Sequence, residues 1–107
     1  MSETDILSRL EAVIASRRGG DPETSYVARL EAAGVGKIAQ KLGEEATETL
    51  IAALTQDRDA LIGEAADLIF HLLVLLGHRN IAFDEVAAEL ARREGVSGIA
   101  EKASRKQ

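Results

Sequence analysis

The stretch DALIGEAADLIFHLLVLLGH, residues 59 to 78, is apolar around almost its whole circumference when it is wound as an α-helix. The ionisable residues of its central and final turns share one strip about 60° wide: Glu64, Asp67, His71 and His78. A helix of this kind is expected to be buried on nearly all sides. An ionised carboxylate on a buried helix is strongly unfavourable unless it is paired. The two acids therefore need partners, either basic side chains or a cation.

The rest of the chain also carries a helical pattern. Apolar residues recur at spacings of three and four, and Gly, Asp and Asn cluster between the segments. This pattern predicts about five helices. We expect them at residues 3–17, near TSYVARLEAA, from GVG to about Leu54, at 59–78, and from Asp84 to a C-terminal Gly95. No strand-like alternation is present, so the predicted fold is all-α, a small helix bundle.

The length of 107 residues indicates a single domain. We expect the domain to span residues 1–95, followed by a polar C-terminal tail at 96–107 that is mobile at least in part. The chain has no cysteine, which excludes zinc-thiolate sites and fits a reducing cytoplasm.

Charge and composition narrow the possible partners. A net charge of -5 and only three aromatic side chains disfavour a nucleic-acid role. The N-terminus MSETDILSRL lacks the apolar segment of a signal peptide, and the run LIFHLLVLLG is too short to span a bilayer. The sequence therefore predicts a soluble intracellular protein with no membrane partner.

The third predicted helix separates apolar and charged residues onto two arcs. Its apolar arc contains Ile38, Ala39, Leu42, Ala46, Thr49, Leu50, Ala53 and Leu54. Lys37, Lys41, Glu44 and Glu48 share the other arc, with Glu45 at its edge. Like charges four residues apart destabilise a helix, and lysines near its start oppose the macrodipole. A solvated surface is the simple interpretation, but the pattern suggests a purpose other than helix stability.

Antiparallel packing of the third and fourth helices would bring two pairs of acids together. Glu45 and Glu48 would face Glu64 and Asp67, and the spacing of three residues puts each pair on one face of its helix. Acids outnumber the nearby bases, and a bound divalent cation would resolve this imbalance. Hard oxygen ligands favour Mg²⁺, with Mn²⁺ as the alternative.

These acids also carry a family resemblance. The motifs E-x-x-E at residues 45–48 and E-x-x-D at residues 64–67 resemble the metal signature of the all-α nucleotide pyrophosphohydrolases, the MazG-like superfamily. The wider stretches SYVARL, KIAQKLGEEATETLIAAL and EAADLIFHLLVLL resemble the phosphoribosyl-ATP pyrophosphohydrolases of histidine biosynthesis. The similarity runs from about Asp5 to Arg93, which is nearly the whole chain.

The resemblance implies an activity and an assembly. Phosphoribosyl-ATP would be hydrolysed to phosphoribosyl-AMP and pyrophosphate by metal-assisted attack of water at the α phosphorus, in the cytoplasm. It also implies a MazG-like fold completed by dimerisation, and we expect a homodimer that buries much of the fourth helix.

Each candidate site residue has a predicted role and, for several, a plainer alternative. Metal ligands are expected to be Glu45, Glu48, Glu64 and Asp67, while the substrate-binding residues are expected to be Lys37, Lys41, Arg92 and Arg93. The two arginines equally suit the dipole at a helix end. Glu44 is a further candidate catalytic residue, as a base or as the support of a metal ligand, or else a solvated residue. His71 is a core histidine or orients a carboxylate.

The sequence leaves two other functions open. One is a house-cleaning nucleoside triphosphate pyrophosphatase of the same superfamily, which the acidic motifs alone do not exclude. The other is a non-catalytic helical dimerisation module, in which the acids pair with bases across an interface. A carboxylate-bridged di-iron bundle is disfavoured, because neither histidine lies three residues after a glutamate.

Overall fold

The computed structural model describes residues 6–105, and this part of the chain contains six α-helices and no strand. The helices are α1 (Ile6–Arg17), α2 (Tyr26–Ala33), α3 (Val35–Thr55), α4 (Arg58–His78), α5 (Phe83–Arg92) and α6 (Gly98–Arg105). The all-α prediction is confirmed, and the first five helices lie close to their expected positions. The predicted start of the first helix, at residue 3, lies outside the described residues.

A single glycine turns the chain between α2 and α3. The side chain of Ser25 begins α2 by accepting a hydrogen bond from the amide of Ala28 at 3.1 Å. Gly34 then ends α2 and precedes α3 with a φ of 97°, a conformation that a residue with a Cβ adopts at a steric cost. The chain can therefore reverse without a longer loop.

Helices α3 and α4 form an antiparallel hairpin, and their contact is the most extensive between any two described helices. Only residues 56–57 connect them, and the Asp57 carboxylate begins α4 by accepting from the amide of Ala60 at 2.9 Å. The expected antiparallel packing of these helices is confirmed. Residues in the second half of α3 consequently face residues in the first half of α4.

The apolar core lies where α1, α2, α3 and α4 meet. Its buried members are Ile14, Val27, Leu30, Ile38, Leu73 and Val74. Glu31 on α2 connects the far end of α4 to the end of α1, because it contacts His78 and lies 2.6 Å from the guanidinium of Arg18. Arg18 passes directly over Gly77, where a Cβ would come within 2.0 Å of its Nη2 atom. The expected position of His78 at a helix end is confirmed.

The prediction that α4 is buried on nearly all sides is wrong for a single chain. Ile62 is 54% exposed and Ile69 is 43% exposed on α4. Two leucines of the predicted apolar arc of α3 are also uncovered, Leu50 at 64% and Leu54 at 83%. The bundle has too few helices to surround the hairpin, so apolar faces of both helices remain at the surface.

Helix α4 has the length and mean hydropathy of a membrane-spanning helix. Core helices of water-soluble proteins share both properties, so the pattern alone does not indicate a membrane role. Glu64 and Asp67 also lie within α4, and acids are unfavourable within lipid.

Within the expected polar tail after residue 95, residues 98–105 form α6. The domain boundary at residue 95 stays a prediction. Glu101 on α6 is buried, and its carboxylate accepts from Arg92 at 2.8 Å. Gly95, expected at the end of the fifth helix, has a φ of 78°, a conformation that glycine adopts without a steric cost. A polar composition hid this helix, since α6 packs through ion pairs more than through apolar contacts.

Candidate metal centre

Three of the four predicted metal ligands meet across the α3–α4 hairpin. Glu45 and Glu48 lie one turn apart on α3, and Glu64 faces them from α4. One carboxylate oxygen from each residue lies within 4.8 Å of the other two. Glu45 is 7% exposed, Glu64 is half-buried and Glu48 is open to solvent. The cluster is therefore buried on the side of Glu45 and accessible to solvent on the side of Glu48.

Two buried oxygens in this cluster have no hydrogen-bond partner within the described part of the chain, Glu45 Oε2 and Glu64 Oε2. Within residues 6–105, no lysine or arginine forms an ion pair with either residue or with Glu48. Unpaired buried carboxylate oxygens are costly, so they need a proton or a cation. The expected excess of acids over neighbouring bases is present in the structure.

The electrostatics of the cluster disfavour its fully ionised form. Burial raises the pKa of the Glu45 carboxyl, and the neighbouring Glu48 carboxylate raises that pKa further. Burial and Glu48, in the same order, raise the pKa of Glu64. The charge of Asp67 adds to both effects. A positive ion placed among these groups would reverse each of these shifts.

The donor set fits a hard divalent cation. All three side chains offer carboxylate oxygens, which suit Mg²⁺ or Mn²⁺. A cation bound among them would give the two unpartnered oxygens a positively charged partner. The accessible Glu48 leaves room for water or a phosphate beside the cation.

Asp67 is not part of the three-carboxylate group. It lies one turn beyond Glu64 on α4 and is exposed, although its charge acts on both Glu45 and Glu64. Its assignment as a fourth metal ligand stays a prediction.

His71 and Tyr26 form a link between α4 and α2. His71 Nδ1 lies 2.7 Å from the main-chain oxygen of Asp67, and His71 Nε2 lies 2.8 Å from the Tyr26 hydroxyl. Because a carbonyl only accepts, the Nδ1–H group of His71 donates to Asp67, and Nε2 forms the second hydrogen bond with the Tyr26 hydroxyl. His71 is therefore a buried histidine with both ring nitrogens hydrogen-bonded, as a core histidine would be. Its alternative role, the orientation of a carboxylate, stays a prediction. Sequence periodicity did not reveal its pairing with Tyr26.

Glu44 pairs with Lys41 on α3, beside the acidic cluster. Lys41 Nζ lies 3.2 Å from Glu44 Oε1, and Gln40 donates to the other oxygen of Glu44 at 2.9 Å. The hydrogen bonds from Gln40 and Lys41 lower the pKa of Glu44, with Lys37 acting in the same direction. Glu44 is thus ionised and paired, in contrast to the unpaired Glu45 beside it.

The predicted substrate-binding arginines lie in another cluster, at the junction of α5 and α6. Arg92 Nη2 lies 2.8 Å from both Glu89 and Glu101, and Arg93 Nε lies 2.9 Å from Glu89. The hydrogen bonds from Arg92 and Arg93 lower the pKa of Glu89 to about 2. Both arginines already have carboxylate partners, and their role in substrate binding stays a prediction.

The fold and the carboxylate cluster together define an all-α bundle with a candidate divalent-cation site, the class that includes the all-α nucleotide pyrophosphohydrolases. The family model described as phosphoribosyl-ATP pyrophosphohydrolase matches residues 7–94. The chain belongs to this family. This confirms the family that the sequence motifs indicated.

Several curated relatives that bear the name phosphoribosyl-ATP pyrophosphatase share most of the chain. The protein of Novosphingobium aromaticivorans is 69% identical over 105 residues, which is 98% of each chain. That of Erythrobacter litoralis is 65% identical over 92% of this chain and 95% of its own. That of Zymomonas mobilis is 60% identical over 98% of this chain and 97% of its own.

We predict that Glu64→Gln leaves the metal-free protein at least as stable as the parent while it reduces hydrolysis by about 100-fold or more. The raised pKa of Glu64 means that its ionisation opposes folding, so metal-free stability should fall as pH rises from the ordinary carboxyl pKa through the raised value. Glutamine does not ionise, so the variant should lack this part of the pH dependence of stability. Thermal melts in chelator between pH 4 and 8 measure it.

Glu44→Gln is the matched control, because the pKa of Glu44 is lowered and its ionisation therefore favours folding. Its effect on metal-free stability should be neutral or unfavourable. If Glu64→Gln instead melts far below the parent in chelator, Glu64 serves a structural ion pair and the metal assignment is wrong.

Proposed function

We propose that this protein hydrolyses phosphoribosyl-ATP to phosphoribosyl-AMP and pyrophosphate, the second step of histidine biosynthesis, in the cytoplasm. The observation that carries this proposal is the family match over residues 7–94, together with relatives of that name at 60–69% identity over nearly the whole chain. The absence of cysteine fits the reducing compartment.

The carboxylate cluster would hold Mg²⁺, or Mn²⁺, through Glu45, Glu48 and Glu64, with Asp67 as a further ligand. A cation bound there supplies charge neutralisation for the phosphates and lowers the pKa of a bound water. Because Glu45 is buried and Glu48 is exposed, the acids could hold an ion on its protein side and leave its solvent side to the substrate.

Lys37 and Lys41, which precede the acidic cluster on α3, would bind phosphate oxygens of the substrate. Glu44 keeps the Lys41 ammonium near the site through its 3.2 Å contact. Water attack at the α phosphorus would release pyrophosphate. Glu44 remains our candidate for a further catalytic residue, as a base or through its contact with Lys41.

Arg92 and Arg93 would bind the phosphate on the ribose of the substrate. Guanidinium groups bind carboxylates and phosphates with the same geometry, so the phosphate could take the place of Glu89, which is half-buried and accepts from both arginines. Glu101 would then retain Arg92 at the α5–α6 junction.

We also propose a homodimer, supported by the uncovered apolar surface of the α3–α4 hairpin. Leu50 and Leu54 on α3 and Ile62 and Ile69 on α4 are each more than two-fifths exposed. Monomeric proteins rarely expose large contiguous apolar patches, and a second copy would cover such a surface symmetrically.

Two other functions are less well supported. A general nucleoside triphosphate pyrophosphatase shares the acidic motifs, but the matching family model and relatives concern phosphoribosyl-ATP. A dimerisation module without catalysis would pair its acids with bases of a second chain, and it would not account for the match to a pyrophosphohydrolase family.

The activity is tested by measuring pyrophosphate release from phosphoribosyl-ATP beside a panel of simple nucleoside triphosphates. We expect a strong preference for phosphoribosyl-ATP and a requirement for Mg²⁺ or Mn²⁺. Equal turnover of ATP would favour the house-cleaning function, and full activity in excess chelator would contradict the metal-assisted reaction.

We predict that Lys41→Ala raises the KM for phosphoribosyl-ATP by about 10-fold or more, because a hydrogen bond to a charged group contributes about 1.5–3 kcal/mol. The melting temperature should change little, since Lys41 lies on the charged face and outside the core. Lys102→Ala on α6 is the control and should leave KM unchanged. An unaltered KM for Lys41→Ala would remove this lysine from the substrate site.

Light scattering tests the dimer, which should have twice the chain mass of 11.4 kDa. Leu54→Glu should shift the protein to monomer, because it places a charge on the apolar hairpin surface. Ile99→Glu on α6 is the matched control, as Ile99 is equally uncovered but lies outside that surface. A parent that is only monomeric at micromolar concentration would contradict the dimer.

A further inference from the structure

Thr49 connects the two helices that carry the acidic cluster. Its hydroxyl oxygen lies 2.8 Å from the main-chain oxygen of Glu45 on α3 and 3.2 Å from that of Glu64 on α4. We propose that Thr49 is a positioning residue that fixes the separation of these two ligand-bearing turns and thereby sets the affinity of the site for its divalent cation. This proposal rests on the proposed function.

The contact across the hairpin distinguishes Thr49 from the other threonines of α3. The hydroxyls of Thr47 and Thr55 donate only to the main chain of their own helix, to Gly43 at 3.1 Å and Ile51 at 2.8 Å. Such a bond is a common local arrangement for threonine in a helix. Thr49 makes the same local bond and also reaches Glu64, so a local preference does not explain its position.

Thr49 lies where the two helices approach closely. It is half-buried at the hairpin interface, and Ala52, one turn later on α3, is fully buried there. The loop that joins the helices begins about 10 Å further along α3, at a rise of about 1.5 Å per residue. The hydroxyl is therefore a polar contact between the helices at the level of the acids, away from the loop.

A small change in helix separation matters at this site because its ligands come from both helices. Mg²⁺ requires near-ideal octahedral geometry with oxygen ligands at about 2.0–2.1 Å. The Thr49 hydroxyl lies within hydrogen-bond distance of both carbonyls, so its one proton can bridge the oxygens of Glu45 and Glu64 in a bifurcated bond that favours this separation of the turns. Valine has the same shape but no proton, and it would place a methyl group against two carbonyl oxygens.

The test compares Thr49→Val, Thr49→Ser and the matched control Thr47→Val. Melting temperature is measured in chelator and then as Mg²⁺ is added, since a ligand that binds the folded state stabilises it. The Mg²⁺ dependence of phosphoribosyl-ATP hydrolysis is measured in parallel. We expect Thr49→Val to raise the Mg²⁺ half-point in both titrations by about 10-fold, the lower end of the effect of residues that support metal ligands.

Thr49→Ser should restore the half-point of the parent, Thr47→Val should not change it, and KM at saturating Mg²⁺ should stay the same. Equal half-points for Thr49→Val and Thr47→Val would overturn the proposal. If Thr49→Val fails to fold, Thr49→Ala replaces it: a 10-fold difference between alanine and serine supports the proposal, and no difference overturns it. A parent that neither binds nor requires Mg²⁺ would overturn the proposed metal site itself, together with this role of Thr49.

Discussion

The close approach of like-charged carboxylates across the α3–α4 hairpin is the constraint on which the rest of the structure depends. Glu45, Glu48 and Glu64 repel one another, and two of their buried oxygens lack a partner in the described chain. The apolar core, with Ile38 from α3 and Val74 from α4 fully buried, keeps the helices together despite this repulsion. The fold thus maintains an arrangement that favours a cation over the empty state.

Different parts of the hairpin serve different purposes. Near its middle, the helices present acids and lysines on one face. Toward the end of α4, Glu31 joins His78 to Arg18 and secures the helix against α1 and α2. The remaining apolar surface, including Leu54 and Ile69, is uncovered in one chain and available to a second copy. One pair of helices in a chain of 107 residues therefore contributes to the core, carries the acidic cluster and presents an uncovered apolar surface.

The sequence predicted the hairpin and its three acids because both depend on local periodicity and on spacing within one helix. The pairing of His71 with Tyr26, the cross-helix contact of Thr49 and the burial of Glu101 could not be predicted in this way. Each depends on how separate helices meet in space. Burial of α4 was overestimated for a related reason, since periodicity identifies an apolar face but not the molecule that covers it.

The most direct test of the central claim is a crystal structure of the protein grown with Mn²⁺, with anomalous scattering used to locate the ion. We expect an anomalous peak between α3 and α4, about 2.0–2.3 Å from carboxylate oxygens of Glu45, Glu48 and Glu64. A site without a peak, in which these carboxylates instead pair with lysine or arginine side chains of a second copy, would contradict the claim.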